Sequence, residues 1–119
     1  MSKYKELNVY KKAYNMTISI YKFTKTLPKV EQYGLASQMT RAAMSVTLNI
    51  AEGYSKEDTM QETKRFLRMS KGSCGELSVL ISICKDLGYM EAGAFEIYEQ
   101  RIDEISRMLY GLIKKTTEN

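Results

Sequence analysis

The segment from Gln32 to Ala51 contains a single charged side chain, Arg41. A helix with one face in water normally carries several charges along that face. Here the apolar residues instead recur at steps of three and four, and the main row consists of Leu35, Met39, Ala42, Ala43, Val46 and Ile50. We therefore predict a helix over about residues 31–54 that is covered on nearly every side.

Three further segments have the periodicity of amphipathic helices, over about residues 6–26, 58–87 and 91–115. Pro28 ends the first segment. The third is predicted to be capped near Asp58 or Thr59, where Thr59 and Glu62 have capping-box spacing, and to stop at Gly88. The fourth has a heptad seam: Phe95, Tyr98, Ile102, Ile105, Leu109 and Leu112. Strand signals are absent and the connections are short. The sequence predicts an all-α fold, an antiparallel up-down-up-down four-helix bundle, as one domain over residues 1–119.

The third segment contains a run of small residues, Gly72-Ser73-Cys74-Gly75. Each glycine costs a helix on the order of 1 kcal/mol relative to alanine. Close approach of a neighbouring helix would compensate this loss. We therefore expect such an approach at Gly72 and Gly75.

The composition excludes several kinds of chemistry, because the chain has no histidine and only two cysteines. Histidine-dependent nucleophilic catalysis and histidine or four-thiolate metal sites are not possible. Cys74 and Cys84 lie ~15 Å apart along one predicted helix, too far to form a disulfide. Neighbouring carboxylates such as Asp103 and Glu104 point away from each other on a helix and do not form an acid/base pair. We expect no catalytic residue, no metal and no cofactor.

The chain shows no apolar run of a signal peptide at its start and no stretch near the ~20 apolar residues of a membrane span. We therefore expect a cytoplasmic protein without a membrane partner. Its net charge is +4, and the excess is uneven: residues 1–30 hold seven lysines against one acid, Glu6.

Basic side chains beside aromatic ones are candidates for contact with a phosphate backbone. They form two groups, Lys11, Lys22, Lys25 and Lys29 in the first segment and Lys64, Arg65, Arg68 and Lys71 in the third. A solvated helix face is the alternative for a single chain, and repetition in an assembly favours nucleic-acid binding. Tyr10, Tyr14 and Tyr21 lie at helical spacing, which we interpret as core packing in preference to a platform for stacking bases.

A narrow polar stripe runs along the second segment and consists of Gln38, Arg41, Ser45, Asn49 and Glu52. One interpretation is a polar pocket or a nucleic-acid contact. The interpretation that we favour is a buried hydrogen-bonded network that fixes helix register or assembly, with Arg41 and Glu52 satisfying each other.

Several motifs match a known family. They are Leu7-x-Val9-Tyr10-Lys11-Lys12-Ala13, Tyr33-Gly34-Leu35, Arg41-Ala42-Ala43, Asn49-Ile50-Ala51-Glu52-Gly53-Tyr54, Arg65-Phe66-Leu67, Lys71-Gly72-Ser73 and Leu87-Gly88-Tyr89. This pattern resembles the four-helix-bundle proteins named for 23S ribosomal RNA intervening sequences. The resemblance implies a left-handed bundle, a homopentameric ring, and similarity to accessory proteins of diversity-generating retroelements, which bind a reverse transcriptase and nucleic acid. It implies no enzymatic activity.

The chain departs from the family pattern at three places. Tyr10 stands where tryptophan is common, Thr40 where an arginine often precedes Arg41, and Thr47-Leu48 where Pro-Ser is frequent. The missing arginine weakens a phosphate-binding role at that position. We expect an oligomeric protein that binds RNA or DNA. The alternatives are a protein scaffold that serves an operon-encoded partner and an enzyme whose pocket the sequence does not reveal.

Overall fold

The computed structural model describes residues 3–55 and 59–118, and in those residues it contains four α-helices and no strand. Helix α1 spans Asn8–Thr24, α2 Leu35–Ser55, α3 Met60–Asp86 and α4 Ala92–Glu118. Short 3₁₀ turns at Tyr4–Glu6 and Lys29–Glu31 precede α1 and α2. The all-α four-helix bundle predicted from the sequence is confirmed, while its handedness stays a prediction.

The helices lie side by side in chain order, and α4 packs back against α1. Contacts between α2 and α3 join Met39 to Cys84 and Val46 to Ser70, so these two helices run in opposite directions. The bundle measures 46 × 22 × 20 Å. None of the helices in the described part of the chain is long and apolar enough to cross a membrane.

The helix ends follow the local signals in the sequence. The Thr59 hydroxyl accepts a hydrogen bond from the Glu62 amide at 3.2 Å, which confirms Thr59 as the cap of α3, and the other candidate, Asp58, lies outside the described residues. Gly88 ends the same helix with φ +82°, a conformation that favours glycine, and the Tyr89 amide donates to the Cys84 carbonyl at 2.8 Å. The predicted start of α2 at residue 31 is early, because Lys29–Glu31 forms a 3₁₀ turn.

The core consists of one apolar row from each helix. Its largest fully buried members are Met16, Ile20, Met39, Ile50, Leu67, Leu77, Ile81, Ile105 and Leu109. The predicted row of α2 is buried from Met39 to Ile50, and the heptad seam of α4 is buried from Tyr98 to Leu109. Periodicity therefore identified the inward side of these helices correctly.

Buried hydroxyls connect neighbouring helices through this core. The Thr17 hydroxyl of α1 lies 3.0 Å from the Ala43 carbonyl and 2.9 Å from the Thr47 hydroxyl of α2. Ser70 of α3 is fully buried, and its hydroxyl donates to the Val46 carbonyl at 2.7 Å. These bonds fix the register of α1 and α3 against α2.

The expected close approach of helices occurs at a different glycine. A Cβ atom at Gly53 would lie 3.2 Å from the Phe66 Cβ, because α2 and α3 pack tightly there. A Cβ atom at Gly72 or Gly75 would have no neighbour within 4 Å. The prediction for Gly72 and Gly75 was therefore wrong for the single chain, since both lie on the outer side of α3.

Candidate nucleic-acid interface

The end of α1 and its connection to α2 present the first basic group. Lys22, Lys25 and Lys29 are all exposed. Pro28 has extended backbone at φ −62° and ψ 152°, and the 3₁₀ turn that follows directs the chain back toward the bundle. Helix α1 ends before Pro28, as predicted, and the ammonium groups of these three lysines therefore lie around one loop.

An open pocket of about 450 Å³ lies in this loop. It is lined by Thr24, Lys25, Leu27, Pro28, Lys29, Gln32 and Ala36. The one acid of the loop, Glu31, is already engaged, because its carboxylate accepts the Leu35 amide at 3.4 Å and the Tyr89 hydroxyl at 3.2 Å. The lining residues include two cations and no anion, so the pocket suits a negatively charged group.

The fourth candidate of the first group, Lys11, lies near the opposite end of α1. It is exposed and separated from Lys22 by three turns, roughly 16 Å along the axis. Lys11 therefore extends the basic side of α1 toward the other end of the bundle.

The second basic group lies in the first half of α3. Arg68 is exposed, while Lys64 and Lys71 are half-buried along the side that faces α4. The Arg65 guanidinium binds both carboxylate oxygens of Glu62 at 2.9 Å, and it also lies 4.5 Å from the Phe66 ring centre. Glu62 partly neutralises Arg65 and so weakens Arg65 as a phosphate ligand.

Two basic residues that are not among the predicted ones lie at the same end of the bundle as this group. Helices α3 and α4 run in opposite directions, because Ser78 bonds Glu99 and Lys85 lies over the Phe95 ring. Continuing that register brings Lys114 and Lys115, both exposed, to the level of Lys64. Their position late in α4 suits the helix dipole. Only the pairing of helices shows that they share an end of the bundle with Lys64, and Lys115 lies on the opposite side of α4 from Glu99, which faces α3.

The structure does not bring the two basic groups together in one chain. The Tyr89 hydroxyl bonds Glu31, so the loop after α1 lies at the end of α3. Arg65 is near the other end of α3, roughly 30 Å away along its axis. Each chain therefore offers two separate basic surfaces, one at each end of the bundle.

The polar stripe of α2 is only partly a network. Ser45 and Ser73 share a hydrogen bond of 2.7 Å between α2 and α3, and the Asn49 amide donates to the Ser45 hydroxyl at 3.0 Å and to its carbonyl at 2.9 Å. Ser45 and Asn49 are half-buried, as is Glu52. The register-fixing role proposed for the stripe has direct hydrogen-bond support at Ser45, which bonds Ser73 of α3, whereas the Asn49 amide bonds only Ser45 of its own helix.

The other end of the stripe is open to solvent. Gln38 and Arg41 are exposed and line a groove of about 300 Å³ together with Ser45, Ser73 and Glu76. Arg41 and Glu52 are eleven residues apart on one helix, about 16 Å along its axis. The predicted pairing of Arg41 with Glu52 within one chain was therefore wrong.

The tyrosines of α1 differ in how far their side chains are buried. Tyr10 is half-buried and its ring contacts Tyr4 edge-on, with centroids 5.0 Å apart. Tyr14 and Tyr21 are 50% and 40% exposed. The core-packing interpretation holds for Tyr10 and was wrong for Tyr14 and Tyr21.

The two cysteines are free thiols enclosed by the core. Burial raises the pKa of Cys74 to about 12 and that of Cys84 to about 11. A thiol acts as nucleophile or metal ligand in its thiolate form, so neither residue is reactive at neutral pH. Within residues 3–55 and 59–118, no cluster of three acidic or cysteine side chains could hold a metal ion.

Comparison with known proteins supports the resemblance found in the sequence. The chain is similar in fold to the crystal structure of a protein of unknown function from the S23 ribosomal protein family of Bacteroides thetaiotaomicron, with a TM-score of 0.82 and 19% sequence identity, over 89% of this chain and 98% of that chain. No curated protein matches the chain. The pattern of the 23S rRNA-intervening sequence proteins matches residues 5–111. The chain therefore belongs to the 23S rRNA-intervening sequence protein family.

Proposed function

We propose that this protein is a non-enzymatic, cytoplasmic nucleic-acid-binding protein that acts as a homo-oligomer, a pentamer by its family resemblance. The observation that carries the proposal is the pair of basic surfaces at opposite ends of the bundle. One is formed by the exposed Lys22, Lys25 and Lys29, and the other by the exposed Arg68 with the half-buried Lys64 and Lys71.

The chemistry of these surfaces suits phosphate rather than bases. The loop pocket holds Lys25 and Lys29, with the nearby Glu31 engaged elsewhere. Lysine and arginine bind phosphate through charge and release condensed counterions, which makes binding dependent on salt and largely independent of sequence. An assembly of several copies repeats each surface and adds phosphate contacts. The absence of histidine and the raised pKa of both thiols agree with a binding role.

The test is binding of the full-length protein to labelled RNA and DNA duplexes, measured by fluorescence polarisation from 50 to 300 mM salt. The charge-removing variant is Lys25→Gln/Lys29→Gln. The matched control is Lys12→Gln/Arg107→Gln, which removes the same charge from side chains that already pair with Glu104 and Asp103.

We expect the first variant to reduce the slope of log K against log salt by about 2 on a duplex, since each lost phosphate contact contributes about 0.9. The control is expected to change the slope by less than half as much. Absence of binding at 50 mM salt, or equal slopes for the two variants, would contradict the proposal.

A second candidate function is a protein scaffold or an accessory subunit, for example of a reverse transcriptase. The observation that favours it is the number of large apolar side chains on the outside of the chain, among them Leu48 and Val79, which are 58% and 60% exposed. Light scattering before and after nuclease treatment discriminates the two functions. Co-purifying nucleic acid that nuclease removes supports nucleic-acid binding, whereas a bound protein partner in the absence of any nucleic acid supports the scaffold.

A further inference from the structure

The groove between α2 and α3, called here the α2/α3 groove, has opposite charges on its two walls. It is lined by Gln38, Arg41, Ala42, Ser45, Ser73 and Glu76. Ser45 and Ser73 meet at one end of it through their hydrogen bond of 2.7 Å. Arg41 lies about one turn before Ser45, and Glu76 lies almost one turn after Ser73. Because the two helices are antiparallel, Arg41 and Glu76 therefore stand at about the same level.

The two charged side chains of the groove do not pair with each other. Arg41 and Glu76 are exposed, and neither has an ion-pair or hydrogen-bond partner among residues 3–55 and 59–118. A ligand group in the space between them would meet a cation on one side and an anion on the other. Because α2 is open along this groove and at the exposed Leu48, the prediction that α2 is covered on nearly every side was wrong for the single chain.

The closed end of the groove holds one hydroxyl proton that no protein atom accepts. The Ser45 and Ser73 hydroxyls share one hydrogen bond, and the Ser45 oxygen also accepts from the Asn49 amide. Two hydroxyls carry two protons and this arrangement uses one, whichever hydroxyl donates. The other proton has no acceptor in the part of the chain that the structure describes. Ser73 is only 6% exposed and lines the groove, so this proton is available to a ligand there.

These groups define the two edges of a fitting ligand. Arg41 and the hydroxyl proton donate, so one edge of the ligand has to accept hydrogen bonds. The Glu76 carboxylate accepts through two oxygens, so the other edge has to present two neighbouring donors. Guanine has both edges, since its O6 and N7 atoms accept and its N1 and N2 atoms donate. Adenine, cytosine and uracil each offer a carboxylate one donor beside an acceptor, which repels the second oxygen.

We propose that the α2/α3 groove binds an unpaired guanine of the nucleic acid, with Arg41 at O6 and N7 and Glu76 at N1 and N2. This inference rests on the proposed nucleic-acid binding and adds a sequence preference to it. Phosphate contacts position a strand without reading its sequence, whereas unpaired bases in single strands are read by hydrogen bonds to their edges. Glu76 repels phosphate, so the groove is distinct from the backbone contacts of the lysines.

The groove lies between the two basic surfaces along the bundle. On α3, Ser73 is five residues from Arg68, roughly 8 Å along the axis. Glu76 is thirteen residues from Tyr89, which marks the level of the loop after α1, roughly 20 Å in the other direction. A strand that contacts both basic surfaces therefore crosses the level of the groove. This position favours a base over a small molecule with both charges, such as a free amino acid.

The experiment is fluorescence polarisation of the full-length protein with labelled RNA strands of eight uridines in which one central position is varied. That position holds uridine, adenosine, guanosine, inosine or 7-deazaguanosine. Inosine lacks only the N2 amino group of guanosine, and 7-deazaguanosine lacks only its N7 acceptor. All strands have the same phosphates, so a difference in affinity at 100 mM salt reports the base alone.

We expect the unmodified protein to bind the guanosine strand about 10-fold tighter than the adenosine or uridine strand, the usual discrimination of a bidentate contact. Inosine and 7-deazaguanosine are each expected to bind about 3-fold weaker than guanosine, since each loses one hydrogen bond. Glu76→Ala is expected to bind guanosine and inosine equally and still to distinguish 7-deazaguanosine. Arg41→Ala is expected to show the reverse. The matched control Glu96→Ala removes the same charge as Glu76→Ala from an exposed residue of α4 and should keep every preference.

The outcomes separate this inference from the proposed function. Arg41 and Glu76 are exposed and unpaired in the described residues, so both variants are expected to keep the fold, as circular dichroism checks. Binding of RNA without a preference for guanosine overturns the inference and leaves nucleic-acid binding standing. A preference over inosine that survives Glu76→Ala overturns it as well. Absence of any RNA binding at 50 mM salt refutes the proposed function and, with it, the inference.

Discussion

The buried hydroxyl pair between α1 and α2 gives the sharpest prediction about stability. Thr17 is 9% exposed, and its hydroxyl lies within 3.0 Å of the Ala13 carbonyl, the Ala43 carbonyl and the Thr47 hydroxyl. Thr17→Val keeps the shape of the side chain and removes its hydrogen bonds to α2. Because the Thr47 hydroxyl is then left in the core with fewer partners, we expect the free energy of unfolding to fall by about 1–2 kcal/mol.

The matched control is Thr40→Val. The Thr40 hydroxyl bonds only carbonyls of its own helix, at 3.0 and 3.1 Å, and Thr40 is half-buried. Loss of the Thr40 hydroxyl is expected to lower the free energy of unfolding by less than about 0.5 kcal/mol, the usual range for substitutions outside the core and outside buried hydrogen-bond networks. The double variant Thr17→Val/Thr47→Val is expected to cost less than the two single variants summed, since both polar partners are removed together.

The assay is urea unfolding followed by circular dichroism, at one protein concentration because association adds to the apparent stability. Equal midpoints for Thr17→Val and Thr40→Val would refute the importance of the interhelical bond. Strict additivity in the double variant would show that the two hydroxyls are not coupled.

Three further predictions concern the core, the thiols and the polar stripe. Leu77→Ala is expected to lower the free energy of unfolding by about 3–5 kcal/mol, because Leu77 is fully buried. Its control Ile97→Ala, on an exposed side of α4, is expected to lower it by less than about 0.5 kcal/mol. Both are measured by urea unfolding. Cys74 and Cys84 are expected to resist a thiol reagent at pH 8 and to react after denaturation, and rapid reaction of the folded protein would contradict this. Because folding raises the pKa of both thiols, their ionisation does not affect the free energy of unfolding below pH 9. The free energy of unfolding is expected to fall as the pH rises from 9 toward about 11 and 12. Arg41→Ala is expected to leave the free energy of unfolding within about 0.5 kcal/mol, because Arg41 is exposed; a loss above 2 kcal/mol would point to a buried contact.

Sequence patterns located the helices because their signals are local. Thr59 caps α3 and Gly88 ends it through bonds within a few residues, so their types suffice to predict them. The inward rows of α2 and α4 follow from helical periodicity. The family followed from motifs read along the chain and is supported by the match over residues 5–111.

The candidate site was less predictable, because it depends on how the helices are paired. The basic groups that contain Lys22 and Lys64 look alike in the sequence, whereas the structure places them at opposite ends of the bundle. Lys114 and Lys115 lie at the end of the bundle that holds Lys64, and this placement follows only from the antiparallel register of α3 and α4.

By itself the sequence determined which side of each helix is apolar and placed each helix end within four residues of its observed position, because both depend on residues within a few turns. The tertiary structure decided which of those sides meet. It placed the close helix contact at Gly53 instead of Gly72, and it left Leu48 and Tyr14 on the outside although their helices are rich in apolar residues. The physical reason is that periodicity fixes directions around one helix axis, whereas rotation and register between helices depend on the packing of all four at once.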